Sequence, residues 1–240
     1  MAHPEARLSV AEEGDIERAV QRLEAGEPLP YVIGHWEFYG LDFTLTSQVL
    51  IPRPDTELLV ERGLKWLRAH PGRRLACDVG TGSGCIAVAL ASNTPDLTVV
   101  ASDLAREALQ VARLNAQRHG VQGRVHCLQA DLIPSTGKPF DLVCANLPYI
   151  PSETLRTLDI YPREPALALD GGMDGLELIR KLLQMAPGHI APGGALLLEI
   201  EALEGRTAID LGRESFPEAD IHLHADLSGY DRVVQINLPD

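Results

Sequence analysis

An α/β fold is what the sequence predicts: a mostly parallel, seven-stranded sheet with helices on both faces. Three observations carry it. From Leu75 onward, short apolar runs alternate with stretches of helical periodicity, the rhythm of a parallel sheet. The first run opens into a glycine-rich turn, Asp78–Gly84, that leads into a helix. Polar residues then close one run after another: Asp78, Asp103, Asp131 and Asn146.

The elements follow in order. Residues 1–30 form a polar lead in which Ile16, Ala19, Val20 and Leu23 are spaced as on a helix, stopped by Gly26 and two prolines. Residues 31–54 read as a β-hairpin and linker. Leu41, Phe43 and Leu45 alternate with polar residues, and Tyr39-Gly40 turns the chain back onto Trp36–Phe38. Ile51-Pro52-Arg53-Pro54 is a stiff extended link. Asp55 or Thr56 is placed to cap a helix reaching Ala69, with Leu58, Leu59 and Leu64 inward. Residues 55–240 form the main domain. Its strands are expected at 75–79, 97–102, 125–129, 140–145, 195–200, 219–224 and 232–237. Its helices are expected at 85–92, 106–119 and 176–186. The last two strands have too short a link for a helical crossover and should be antiparallel.

Composition sets bounds. The 240 residues are 45% hydrophobic and 23% charged, enough for one core of ordinary size. Net charge is -13, which argues against nucleic acid as the direct substrate, because phosphate binding usually leaves a basic footprint. No C-x-x-C pair occurs among Cys77, Cys85, Cys127 and Cys144, so buried free thiols are expected, as in a cytoplasmic protein. No leader or apolar run long enough to span a membrane is visible. His222 and His224 share one side of a strand without a third ligand, so no metal site is assigned. A monomer is expected.

The polar strand ends carry the chemistry. In an open α/β sheet, ligands lie beyond the carboxyl ends of the strands. The loop reads G-x-G-x-G, which frees backbone at the mouth of a helix. Asp103 follows Gly84 by 19 residues and suits the two hydroxyls of a ribose. Asn146-Leu147-Pro148-Tyr149 is a different kind of site. The Asn146 side-chain oxygen and a backbone carbonyl, that of Leu147, can grip the two N–H groups of a planar NH₂ group. Such a nitrogen is a poor nucleophile, so orientation and desolvation matter more than a base. Tyr149 is placed to cover the flat amide.

These segments resemble the release factor glutamine methyltransferases, the PrmC or HemK family, over roughly residues 28–240. The likeness rests on Pro30–Gly34, Trp36–Gly40, Ile51-Pro-Arg-Pro-Asp-Thr-Glu57, Asp78–Gly84, Asn146–Tyr149, Asp170–Leu176 and Asp226–Val234. It implies a Rossmann-like, class I fold dependent on S-adenosylmethionine, with S-adenosylhomocysteine as product. It implies that Asp78, Gly80, Thr81, Gly82, Ser83, Gly84, Asp103, Asp131, Leu132 and Asn146 bind the cofactor. Asn146, Leu147, Pro148 and Tyr149 would hold and present the reacting glutamine, with Arg53 and Pro54 at its border. The implied reaction methylates the side-chain amide nitrogen (N5) of the glutamine in the Gly-Gly-Gln motif of bacterial peptide chain release factors. The resemblance leaves open what Glu57 and Glu199 do.

Two departures stand out. Leu147 replaces the first proline of the family's Asn-Pro-Pro-Tyr turn, at an expected cost of ~0.4–1 kcal/mol in preorganisation. The family also carries a longer N-terminal helical domain, whereas only about 27 residues precede the match here. Three other readings stay in view: methylation of a ribosomal-protein glutamine, methylation of a nucleic-acid amino group, and a silent binding module on the same fold. A flipped base would need basic contacts, and Arg53-Pro-Asp-Thr-Glu57 favours the release factor enzyme.

Overall fold

The computed structural model describes residues 8–240; the first seven residues of the N-terminal lead lie outside the described part. Helix α1 spans Val10–Glu24, and Ser9 and Glu12 close a reciprocal capping box at its start. Its apolar residues stay exposed. A short helix α2 (Leu29–Ile33), not foreseen from the sequence, ends at Gly34 in the left-handed region. Strands β1 (His35–Phe38) and β2 (Leu41–Thr44) form the expected hairpin.

Helix α3 (Glu57–Ala69) follows a 3₁₀ turn over Pro54–Thr56. The expected cap is not made there. No side chain caps α3, because Thr56 is turned instead toward Asn146 and Asp55 pairs with Arg232. Then come β3 (Leu75–Val79), α4 (Cys85–Asn93), β4 (Thr98–Asp103), α5 (Arg106–Arg118), β5 (Val125–Gln129) and β6 (Phe140–Ala145), each within a residue of its expected bounds. A one-turn helix α6 (Ser152–Leu155) and α7 (Glu177–Met185) lead to β7 (Ile190–Glu199). The expected turn at Pro192–Gly194 lies inside β7 as an irregularity of its pairing with β6. Helix α8 (Gly205–Ser215) is absent from the sequence reading. Strands β8 (Asp220–Ala225) and β9 (Asp231–Asn237) finish the fold, antiparallel as predicted.

The main sheet runs β5-β4-β3-β6-β7-β9-β8. The first five of these strands are parallel, and β9 turns antiparallel to β7. Helices α3, α4 and α5 bury Leu59, Leu64, Leu90 and Val111 against one face. Helices α7 and α8 bury Ile179, Leu182 and Ala208 against the other. All four cysteines are free; Cys77, Cys85 and Cys144 are buried and Cys127 half-buried. No helix among the described residues is long and apolar enough to cross a membrane.

Candidate active site

Chain order reverses between β3 and β6, since β3 leads outward to β4 while β6 leads the other way to β7. That is the switch point where an open sheet leaves a crevice at its carboxyl edge. The glycine loop leaves β3 there, and Asn146 leaves β6.

A buried carboxylate organises the loop from behind. Asp78 has no exposed surface; its Oδ2 accepts from Thr81 Oγ1 at 2.5 Å and from Ala87 N at 3.1 Å. Its Oδ1 finds no partner among the described residues. Burial pushes this carboxyl up to about 7, against the pull of those two donors. Gly80, Gly82 and Gly84 all sit at positive φ, but for different neighbours. A Cβ on Gly84 would meet Ala112 of α5 at 3.0 Å, and one on Gly80 would meet Leu147 at 3.1 Å. A Cβ on Gly82 would meet nothing within 4 Å, so that face of the loop is open. Thr81 and Ser83 are buried, which makes them parts of the loop's frame.

Asp103 ends β4 with its Oδ2 accepting from Gly82 N at 2.9 Å and its Oδ1 from Ala105 N at 2.8 Å. Burial pushes its carboxyl above the ordinary aspartate range, and these amides oppose the rise. Each oxygen keeps acceptor capacity toward the crevice. Leu132 is buried at φ 64, and its carbonyl accepts from Ser102 Oγ at 2.9 Å. Asp131 stands at the rim of this edge of the sheet. It is exposed and pairs with Lys181 of α7 at 2.5 Å.

The Asn146 turn is built from remote pieces. Asn146 donates Nδ2–H to Thr56 Oγ1 at 3.0 Å, which leaves its Oδ1 free as an acceptor. Leu147 is buried against Gly80 and so fills the place of the replaced proline with packing. The segment Asp170–Leu176 supports the turn from outside. A Cβ on Gly171 would lie 2.7 Å from Tyr149 Cα and 2.8 Å from Pro148 O. A cavity of about 100 Å³ opens at the turn, lined by Leu50, Arg53, Asn146 through Ile150, Ile160, Ala168 and Leu169. Arg53 is held there by Glu164, which is buried and also accepts from Ile51 N at 3.0 Å.

Pro54, expected beside Arg53 at the substrate border, is exposed and lines a recess with Trp36, Phe38 and Glu57. The same geometry assigns Glu57: its Oε1 accepts from Tyr39 N at 2.8 Å and pins the hairpin. A larger recess, about 660 Å³, lies elsewhere. It is lined by Arg62, Lys65, Arg73, His222 and His224, and by none of the crevice residues. The two histidines are occupied by Asp220 and Gln235, and no metal-ligating cluster occurs among the described residues.

Three supporting residues escaped the sequence reading. Asn115 of α5, fully buried, holds Thr44 of the hairpin through both backbone groups and also donates to Ser83 O at 2.8 Å. Arg232 of β9 pairs with Asp55 and Asp226. Glu164 holds the linker. A polar residue inside an apolar helical stripe was the available signal for Asn115; Arg232 lay within the resembling segment Asp226–Val234, and Glu164 had none.

The open face of a glycine loop and an asparagine turn meeting at one switch point define an S-adenosylmethionine-dependent methyltransferase, and residues 55–159 match the Methyltransferase small domain family. The chain is 44% identical over 234 residues to the release factor glutamine methyltransferase of Moorella thermoacetica, covering 97% of this chain and 82% of that protein. It is 42% identical over 219 residues to that of Geobacter sulfurreducens, covering 90% and 75%. The chain belongs to the release factor glutamine methyltransferase family. Among solved structures, the release factor-specific protein-(glutamine-N5) methyltransferase of Alicyclobacillus acidocaldarius is 28% identical with a TM-score of 0.50, covering 79% of this chain and 95% of that one. A ribosomal protein L11 methylase of Lactobacillus delbrueckii, 20% identical with a TM-score of 0.59 over 82% of this chain and 84% of that one, shares the fold.

Proposed function

We propose that this chain transfers a methyl group from S-adenosylmethionine to the side-chain amide nitrogen of a glutamine, and that the glutamine belongs to the Gly-Gly-Gln motif of a bacterial release factor. The observation that carries the reading is the Asn146 amide, tied by its nitrogen to Thr56 so that its oxygen is left to accept. The relatives' names supply the target protein.

The cofactor suits the residues present. Gly82 offers an open backbone face, and Asp103 offers acceptor capacity for ribose hydroxyls beside it. Once bound, the cofactor supplies a methyl group on a sulfonium sulfur, electrophilic without further activation. The chain's own residues do the rest. Asn146 Oδ1 and the Leu147 carbonyl each accept one N–H of the glutamine amide and turn its nitrogen toward the methyl group. Leu147, Pro148 and Tyr149 exclude water around it. Tyr149 acts as a neutral phenol, since burial and the nearby Glu199 push its ionisation well up. Asp78, Thr81 and Ser83 hold the loop in place, and Arg53 stands at the cavity wall to meet the approaching peptide. The proton leaves to water after the nitrogen is methylated.

Incubation with labelled S-adenosylmethionine and a purified bacterial release factor tests the reading, beside a variant whose Gly-Gly-Gln glutamine is alanine. Label on the first and not the second is expected. Equal labelling of both would overturn the target, and label only on ribosomal protein or nucleic acid would replace it.

A further inference from the structure

Parallel pairing sets Ala145 of β6 beside Leu198 of β7. One position further along, Asn146 and Glu199 therefore stand side by side at the carboxyl ends of the two strands. Both point to the face covered by α3, the face on which Cys144 and Leu197 pack against Leu59 and Leu64. Thr56, at the start of α3, lies between them. Glu199 is only 1% exposed, and the hydroxyls of Thr56 and Tyr149 are close enough to favour its charged form. Its Oε2 has no partner among the described residues. A carboxylate buried this deeply beside the amide clamp has no part in the mechanism above.

We infer that Glu199 acts through Thr56 as a positioning residue that fixes which way round the Asn146 amide stands. The inference rests on the clamp reading of Asn146. An ionised carboxylate accepts and never donates. Thr56 therefore directs its only proton to Glu199 and keeps a lone pair for Asn146 Nδ2–H, at 3.0 Å. Turned by a half rotation, the amide would set its oxygen against an oxygen with no proton between them. Oδ1 is thus held toward the crevice, where it accepts from the substrate NH₂. A protonated Glu199 removes the constraint: it donates to Thr56, Thr56 donates to Asn146 Oδ1, and the clamp presents N–H to N–H.

Glu199 is placed to titrate near neutrality. Burial pushes it up to about 7, with Asp55 adding to the rise and the Thr56 and Tyr149 hydroxyls and Arg232 opposing it. Asp55 comes from the turn before α3, Arg232 from β9 with Asp226 behind it, Tyr149 from the turn after β6, and the Cys85 thiol from the first turn of α4. The relay acts above this value and is lost below it.

Kinetics of the full chain with a purified release factor test the relay, in Thr56→Val, Thr56→Ser, Glu199→Gln and Asn146→Ala. S-adenosylhomocysteine affinity by calorimetry is the control for folding. Thr56→Val should lose roughly 10- to 100-fold in kcat/KM, as when a buried donor–acceptor pair is broken. Its cofactor affinity should stay within about twofold, because Thr56 does not reach the glycine loop. Thr56→Ser restores the hydroxyl and should restore the rate. Glu199→Gln can donate to Thr56 at every pH, so its kcat/KM should be low and lack the limb near pH 7 expected of the unmodified protein. Retention of that limb in Glu199→Gln, or an undiminished rate in Thr56→Val, would overturn the relay. If Thr56→Val does not fold, the pH profile of Glu199→Gln still decides. An Asn146→Ala variant at full rate would instead remove the clamp itself, so the two failures are distinct.

Discussion

The two walls of the crevice are held in different ways. The cofactor wall is nearly local: Asp78, Thr81, Gly82 and Ala87 lie within ten residues, and the later residues that hold them, Ser102, Asp103 and Asn115, come from the next strand and helix. The substrate wall is assembled from afar. Thr56, Asp170–Leu176, Glu199 and, through Asp55, Arg232 come from four parts of the chain to support four residues, Asn146–Tyr149. A wall made by one β-turn-α unit is rigid once the unit forms. A wall made by several strand ends depends on the whole sheet closing correctly.

If this contrast is right, damage to the substrate wall should lower the rate and spare cofactor binding, and damage to the cofactor wall should do the reverse. The largest effect is expected at the clamp. Asn146→Ala should lower kcat/KM by roughly 100- to 1,000-fold, the scale of losing one positioned hydrogen-bonding group. Circular dichroism should be unchanged, since Asn146 is only half-buried. A fall of less than about threefold would show that the Leu147 carbonyl and packing alone orient the amide.

Next comes the support behind the turn. Gly171 has backbone on every side: Gly175 O at 2.6 Å, Tyr149 Cα at 2.7 Å and Pro148 O at 2.8 Å from an added Cβ. None of these atoms can rotate away. Gly171→Ala must therefore shift the turn itself, and a shift near 1 Å is expected to cost roughly 100-fold in rate. Cofactor affinity measured by calorimetry should hold. A matching loss of both would mean that the walls are mechanically one.

The cofactor wall answers in the opposite sense. Asp103→Ala removes two acceptors, frees Gly82 N–H, and should weaken S-adenosylhomocysteine binding by roughly 10- to 100-fold. Saturating cofactor should then recover most of the rate. Unchanged affinity would remove Asp103 from the ribose site.

The same contrast explains what the sequence disclosed. The strands from β3 to β6 are legible to within a residue because apolar runs and the glycine turn are local signals. The antiparallel end of the sheet is legible from one short link. Helix α8 went unread because only Gly205, Ala208 and Gly212 of its eleven residues are buried, and small residues leave little apolar periodicity. Thr56 looked like a helix cap, which is what a threonine before a helix usually is; only the position of Asn146, ninety residues later, turns it elsewhere. Arg53 lines the cavity at the turn, while its neighbour Pro54 lines a different recess. Resemblance marked Asp226–Val234 and Asp170–Leu176 as family segments without placing them in the fold. Pairing and close approach are what give them work to do.

The smallest expected effect lies in stability. Glu199 is ionised at a cost, since its folded-state value stands near 7 against an ordinary 4.5. Stability from this group is fully present below about pH 4.5 and is lost as pH rises through about 7, because the native state then gives up a proton that the unfolded state has already released. The loss is about 3 kcal/mol by linkage. Glu199→Gln carries no such penalty. Its melting temperature should lie close to that of the unmodified protein near pH 5 and above it near pH 8, by several degrees at ~2–4 °C per kcal/mol. The variant meant to damage the clamp should thus be the more stable protein at the pH where it is least active. A gap that stays constant across this range would mean that Glu199 keeps one charge state throughout, and the substrate wall would then lack the buried charge that sets it apart from the cofactor wall.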